Sequence, residues 1–237
     1  MLRKVLWRVL CCFFAVLFFI NPVYAGSNDS RQWDVPFLGM MIGPEGFTAV
    51  DMEQYMQQLE PILNANMQKK DGNIPVAKVG GLEKMQLPPE IKVYQLQVEQ
   101  GNIYHIAWAV AFEDKGNSAA PIDNYFTREQ ERFMEEMNGL LLTGIKKVEE
   151  ESEKTGFFKV RVLNLMPLSQ LEGSTEVIYT VGGRLIVDSK GLIAPLYGKA
   201  YFLNRGGKLA SAIIFTTDAD GGFWGGIADQ LLLSVIH

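Results

Sequence analysis

The spacing of apolar residues changes several times along the chain, and each change marks an element. After an unbroken apolar run over residues 9–20, residues 26–50 are polar and then irregular, with Pro36, Gly39, Gly43, Pro44 and Gly46 limiting them to a short extended segment and turns. From Asp51 the period is helical: Met52, Tyr55, Met56, Leu59, Ile62 and Leu63 share one face, Asp51 and Gln54 fit a capping box, and Pro61 bends or interrupts the helix. Residues 69–90, with Gly80-Gly81 and Pro88-Pro89, read as a connector. Runs at 93–99 and 103–112 alternate and are joined across Gln100-Gly101-Asn102, a hairpin signal. In the second run Tyr104, Ile106, Trp108, Val110 and Phe112 form a bulky face, and Ile103, His105, Ala107, Ala109 and Ala111 a mostly small one. Such a strand is central, covered on both sides, with its small face admitting a helix at close range.

A long helix is predicted over residues 122–151, where Tyr125, Phe126, Phe133, Met137, Leu140, Leu141, Ile145 and Val148 recur every three or four positions. Strands follow at 157–165, 175–181, 184–188, 193–203 and 209–216, separated by turn-rich stretches that include Gly182-Gly183 and Ser189-Lys190-Gly191. A short apolar helix over 223–235 closes the chain. The pattern predicts an α+β fold, an antiparallel sheet with helices packed on it, preceded by an N-terminal helical segment. It divides the chain into residues 1–25, an N-terminal extension over 26–90, and a main domain over 91–237.

The first block changes where the protein is expected to work. Arg3, Lys4 and Arg8, the apolar run and Val23-Tyr24-Ala25 before Gly26 have the layout of a secretory signal peptide cut after Ala25. The run is shorter than the roughly 20 residues a membrane-spanning helix needs. Cys11 and Cys12 lie within it without the small preceding residue that lipid attachment requires. An exported protein, periplasmic or extracellular, with no stable membrane span after cleavage is expected. Both cysteines leave with the signal, so thiol catalysis, thiolate metal sites and disulfides are excluded from the remainder. The 22 basic residues less the signal's three leave 19 against 27 acidic ones, a formal charge of −8. That balance argues against nucleic acid and anionic membranes as partners.

Within residues 91–237, the last hairpin (residues 201–216), the glycine turn after it and the closing stripe of Phe223, Ile227, Leu231, Leu232 and Val235 resemble the PsbP-like fold, shared by exported bacterial proteins similar to DcrB. The resemblance implies a layered α/β/α domain used for binding or assembly. It implies no shared catalytic set, and no functional residue is carried over from it.

Four groups of residues bear on chemistry. His105 is one of two histidines and the one placed to act as a general base, which would require a serine such as Ser118 or Ser211 and an acid nearby; the alternative is a strand histidine on a small apolar face, bonded to backbone or exposed near an edge. No Gly-x-Ser-x-Gly sequence accompanies it. Asp218, Asp220 and Asp229 match the first, third and twelfth positions of a calcium loop, but Gly222 and Trp224 fall where oxygen ligands belong, and a helix cap by Asp218 or Asp220 is the simpler reading. Met40, Met41, Met52, Met56 and Met67 could bind Cu(I), yet they share their pattern with core residues. Phe223 and Trp224, set among Gly221, Gly222, Gly225 and Gly226, are the best contact candidates for a ligand or partner. The expectation is an exported, non-catalytic binding or assembly protein that needs no cofactor and contacts an envelope protein or small ligand through Phe223, Trp224 and His105. A hydrolase using His105 and a calcium-stabilised module are the alternatives.

Overall fold

The computed structural model describes residues 31–55, 57, 89–118, 130–155, 159–189, 191–205 and 208–235. The expected signal peptide, most of the expected helix after Asp51, the connector and the start of the long helix lie outside the described residues. Strands β1 (Gln32–Val35) and β2 (Gly39–Ile42) form a separate hairpin. The main sheet contains β3 (Phe47–Asp51), β4 (Ile91–Gln100), β5 (Ile103–Ser118), β6 (Lys159–Leu165), β7 (Ser169–Gln170), β8 (Ile178–Ser189), β9 (Leu192–Arg205) and β10 (Lys208–Thr217). Helix α1 (Gln130–Thr155) precedes β6, and a 3-10 turn (Asp218–Asp220) leads from β10 into helix α2 (Gly221–Leu233). The strand order is β3-β4-β5-β10-β9-β8-β6, with β7 paired to β8. Every one of these pairings is antiparallel, so the fold is α+β.

The two faces of β5 differ as their side chains require. Ala107, Ala109 and Ala111 join Ala210 and Ala212 of β10 in one buried cluster with Trp224, Ala228, Leu231 and Leu232 of α2 and with Trp33, Val35 and Met41 of the hairpin. Alanine holds the sheet surface low, and the helix fills the space with large side chains of its own. Burying Leu231 and Leu232 completely contributes about 2 kcal/mol each. On the opposite face Trp108, Val110 and Phe112 pack with Ile213, Phe215, Met52 and Val148 of α1. Met41 and Met52 therefore belong to opposite sides of the sheet, and Met56 and Met67 lie outside the described residues.

The N-terminal part contributes more to the sheet than its sequence suggested. Residues 47–51 pair with β4, and Trp33 of the hairpin sets its ring edge against Tyr94 at 5.5 Å. Asp51 does cap: its carboxylate accepts the N–H groups of Glu53 and Gln54 at 2.8 and 3.3 Å, where residues 52–55 turn helical. Glu53 then receives Lys92 Nζ of β4 at 2.7 Å, which ties that helix start to the sheet.

Gly182 and Gly183 were expected to separate two strands, but β8 runs straight through them. Neither has the positive φ found at Gly101 or Gly191. Their role is room: a Cβ on Gly183 would stand 2.9 Å from the Asn164 carbonyl oxygen, at the register shift in β6, and one on Gly182 would stand 3.2 Å from both Met166 Sδ and Tyr197 Oη.

The outer edge of β6 is closed by α1. Ser152 Oγ accepts the Val160 N–H at 2.9 Å, Glu149 Oε1 the Val162 N–H at 2.6 Å, and Asn138 Oδ1 the Leu168 N–H at 2.8 Å. The spacing of eleven and three residues puts these side chains on one side of the helix. Polar residues from a helix thus take the bonds that another strand would otherwise make.

Gly183→Ala is expected to destabilise the protein by about 1–3 kcal/mol in urea unfolding, because the added methyl meets backbone that has no alternative rotamer. Gly139→Ala in α1, where nothing lies within 4 Å of the added carbon, is expected to stabilise it by about 0.5–1 kcal/mol.

Candidate functional site

The residues singled out by sequence gather where β10 ends and α2 begins. The chain leaves the sheet at Thr217, turns through Asp218–Asp220 and starts a helix at Gly221 that lies back across the alanine face. Two glycines one turn apart make this return possible. A Cβ on Gly221 would come within 2.8 Å of the Tyr197 side chain, and one on Gly225 within 3.3 Å of its hydroxyl. Tyr197 of β9 is thus wedged under the first turn of α2. Gly222 and Gly226 face outward, with nothing within 4 Å.

His105, Asp220 and Phe223 meet. His105 Nδ1 lies 3.3 Å from Asp220 Oδ1, and the imidazole stacks on the Phe223 ring at 3.9 Å with 19° between planes. Asp220 occupies the N-cap position of α2 without making a side-chain cap bond, since its carboxylate is turned to His105. The helix start is therefore held to β5 through a side chain rather than capped. Ser211, the serine that a His105 nucleophile pair could have used, is fully buried on the opposite face, level with Phe112. The side chain of Ser118 lies outside the described residues.

The two aromatics separate. Phe223 is half-buried and covers His105, whereas Trp224 is 1% exposed and points into the core. The residues are consecutive on a helix, so about 100° separates them; when one faces the end of the sheet, the other faces its interior. Trp224 positions the helix, and Phe223 is the one of the pair that reaches the surface.

The three aspartates of the expected calcium loop go to three different bases. Asp218 Oδ1 lies 2.9 Å from Arg184 Nε in an ion pair, Asp220 meets His105, and Asp229 pairs with Lys199 at 2.7 Å while accepting the Tyr201 hydroxyl at 2.8 Å. Among the described residues no three His, Cys, Asp or Glu side chains stand together as a metal-binding group. Burial, with Asp229 adding to it, pushes the Tyr201 phenol far above its ordinary value and the Tyr197 phenol up as well. Both phenols remain protonated donors, suited to holding a carboxylate rather than to removing a proton.

Sequence reading missed Tyr197, Arg184, Lys199 and Tyr201, which come from strands β8 and β9. One signal pointed to the first of them: glycines at i and i+4 on an apolar helix call for a bulky neighbour. Also missed was the surface beside the site, where Ile103, Tyr104, Leu192 and Ile193 are exposed at 61, 43, 57 and 62%.

No family model and no curated protein sequence matches the chain. Among solved structures it has a weak fold resemblance to the solution structure of cyanobacterial PsbP (CyanoP) from Synechocystis sp. PCC 6803, at 13% identity and a TM-score of 0.39, covering 92% of this chain and 99% of that one.

With its three aspartates engaged separately, the protein is expected to melt at the same temperature with and without calcium at a concentration of about 1–5 mM. A ligand that binds only the folded form raises the melting temperature, so a clear rise in calorimetry would show that the aspartates regroup around an ion.

Proposed function

We propose that this is an exported, non-catalytic binding or assembly protein of the cell envelope, which contacts a protein partner or small ligand through the end of the sheet where His105 and Phe223 meet. One observation carries the reading: apolar surface collects there while charge is consumed in pairs. Phe223 stacks on His105, Ile103 and Ile193 project nearby with more than half of their surface exposed, and Asp218, Asp220 and Asp229 each hold a base. Exposed apolar clusters with a polar rim are the usual mark of a contact site. The acidic balance of the chain supports a protein or small-molecule partner over nucleic acid. Among the described residues no helix is long and apolar enough to cross a membrane.

The His105–Asp220 contact favours one second reading, a hydrolase in which Asp220 orients His105. Phe223 over the imidazole and Ser211 on the far face weigh against it.

Photo-cross-linking in the native envelope tests the first reading. A photoreactive residue at position 223 is expected to trap a specific partner that the same residue at position 163, on β6, does not. Equal capture from both positions would remove the surface assignment. For the second reading, His105→Ala is expected to leave any p-nitrophenyl ester turnover unchanged; its loss with the fold intact would favour the enzyme.

A further inference from the structure

The face of the sheet that carries α2 is covered only in part. Residues directly opposite one another in antiparallel strands share a face, and the register of β6, β8 and β9 sets them in rows: Lys159, Asp188 and Ile193, then Arg161, Ile186 and Pro195. The alternate residues Val160, Val187 and Leu196 are buried with Val148 of α1, so the two rows lie on the α2 side. Helix α2 does not reach them. It starts over Tyr197 at Gly221 and runs away from the rows, so that Asp229 comes down on Lys199 and Tyr201. Lys159, Arg161 and Pro195 are exposed, Ile193 is 62% exposed, and Ile186 between Arg161 and Pro195 is half-buried. The patch is therefore open to solvent, with an aliphatic side along β9 and β8 and a cationic side along β6.

Its charge runs against that of the chain, which is −5 overall. The carboxylates on and beside the patch are engaged: Asp188 Oδ1 accepts the Gly191 N–H at 2.8 Å, and Asp218 holds Arg184. Lys159 and Arg161 have no ion pair among the described residues. Two free cations bordering an aliphatic strip on one side are complemented by an aliphatic stripe bordered on one side by carboxylates. The backbone decides the form of the occupant. Here β8 is paired on both sides, to β6 and to β9, so the patch offers side chains and no free N–H or carbonyl row. An added strand gains nothing from such a surface, whereas an amphipathic helix presents a stripe with a charged border. From β6 to β9 is two interstrand spacings, about 10 Å, the width of one helix.

We infer that this patch docks an amphipathic helix of a partner protein, aliphatic along its centre and carrying Asp or Glu on the side that meets Lys159 and Arg161. The inference goes beyond the contact at Phe223, because the two surfaces lie on opposite sides of the turn before α2: Asp220 reaches His105 of β5, and Asp218 reaches Arg184 of β8.

The intact protein is titrated with a fluorescent, stapled helix of sequence Leu-Glu-Gln-Leu-Leu-Glu-Gln-Leu-Glu-Gln-Leu-Leu, whose Glu residues border one side of the Leu stripe, and with the same helix carrying Lys for every Glu. Saturable binding of the first is expected, with amide NMR shifts centred on residues 159–161, 186–188 and 193–195, and binding of the Lys helix about tenfold weaker. Lys159→Glu with Arg161→Glu is expected to reverse that preference while melting stays unchanged. Lys146→Glu with Lys147→Glu, the same change of charge on the exposed side of α1, is expected to retain it. No binding at about 1 mM, shifts elsewhere, or a preference that the Lys159→Glu, Arg161→Glu variant does not reverse would overturn helix docking. So would self-association of the protein alone that this variant abolishes, since a second copy would then cover the patch. Phosphatidylglycerol vesicles that take up the protein but not the variant would overturn it too, in favour of lipid. Cross-links from position 223 report on the other surface, so either assignment can fail while the other stands.

Discussion

The close approach of α2 to the sheet is the constraint on which the site depends. It is set by the alanines of β5 and β10 below and by Gly221 and Gly225 above. With larger residues in either row the helix axis would rise, Trp224 would lose its place in the core, and the 3-10 turn could not return over Tyr197. Asp220 would then no longer reach His105, and Phe223 would lift from the imidazole. The local chemistry at this end is thus a consequence of small residues that take no part in it. Tyr201 shows the same relation in reverse: its ring lies beside Ala212, and its hydroxyl reaches Asp229 on the helix.

The ion pairs of this seam add direction rather than bulk stability. Lys199 and Asp229 are partly shielded, and removing such charges from water offsets most of their attraction. Their effect is to make one rotation of α2 better than its neighbours, because only that rotation gives Asp229 both Lys199 and the Tyr201 hydroxyl. An apolar helix on an apolar face would otherwise have several nearly equivalent seatings.

Much of this was legible in the chain. Alternation marked β4, β5, β9 and β10, and the alanine face of β5 announced a close helix before any contact was known. His105, Asp220 and Phe223 were each singled out, and the fold brings them together across 115 and more residues. The failures have local causes. Gly182-Gly183 read as a turn because glycine pairs commonly make one, whereas here they answer the crowding of Asn164 in β6 and Met166 just after it, which no short window contains. Strands β1 and β3 are four and five residues long, too short for a period to register among prolines and glycines. Trp224 read as a contact because its neighbours are glycines; only the helix phase, fixed by Tyr197, shows that it faces inward.

Helix α1 has a second significance, which follows from the side chains it lends to β6. Glu149 and Ser152 act as a removable cover: among the described residues the strand beneath pairs with β8 alone, and its Leu163 is already exposed. Helices detach from sheets by local opening well before a domain unfolds. Whenever α1 lifts, β6 becomes a bare template for the same strand of another molecule, and association grows with concentration. With no cysteine after Cys12 to cross-link the sheet, that one helix is what keeps this edge from joining another edge to edge.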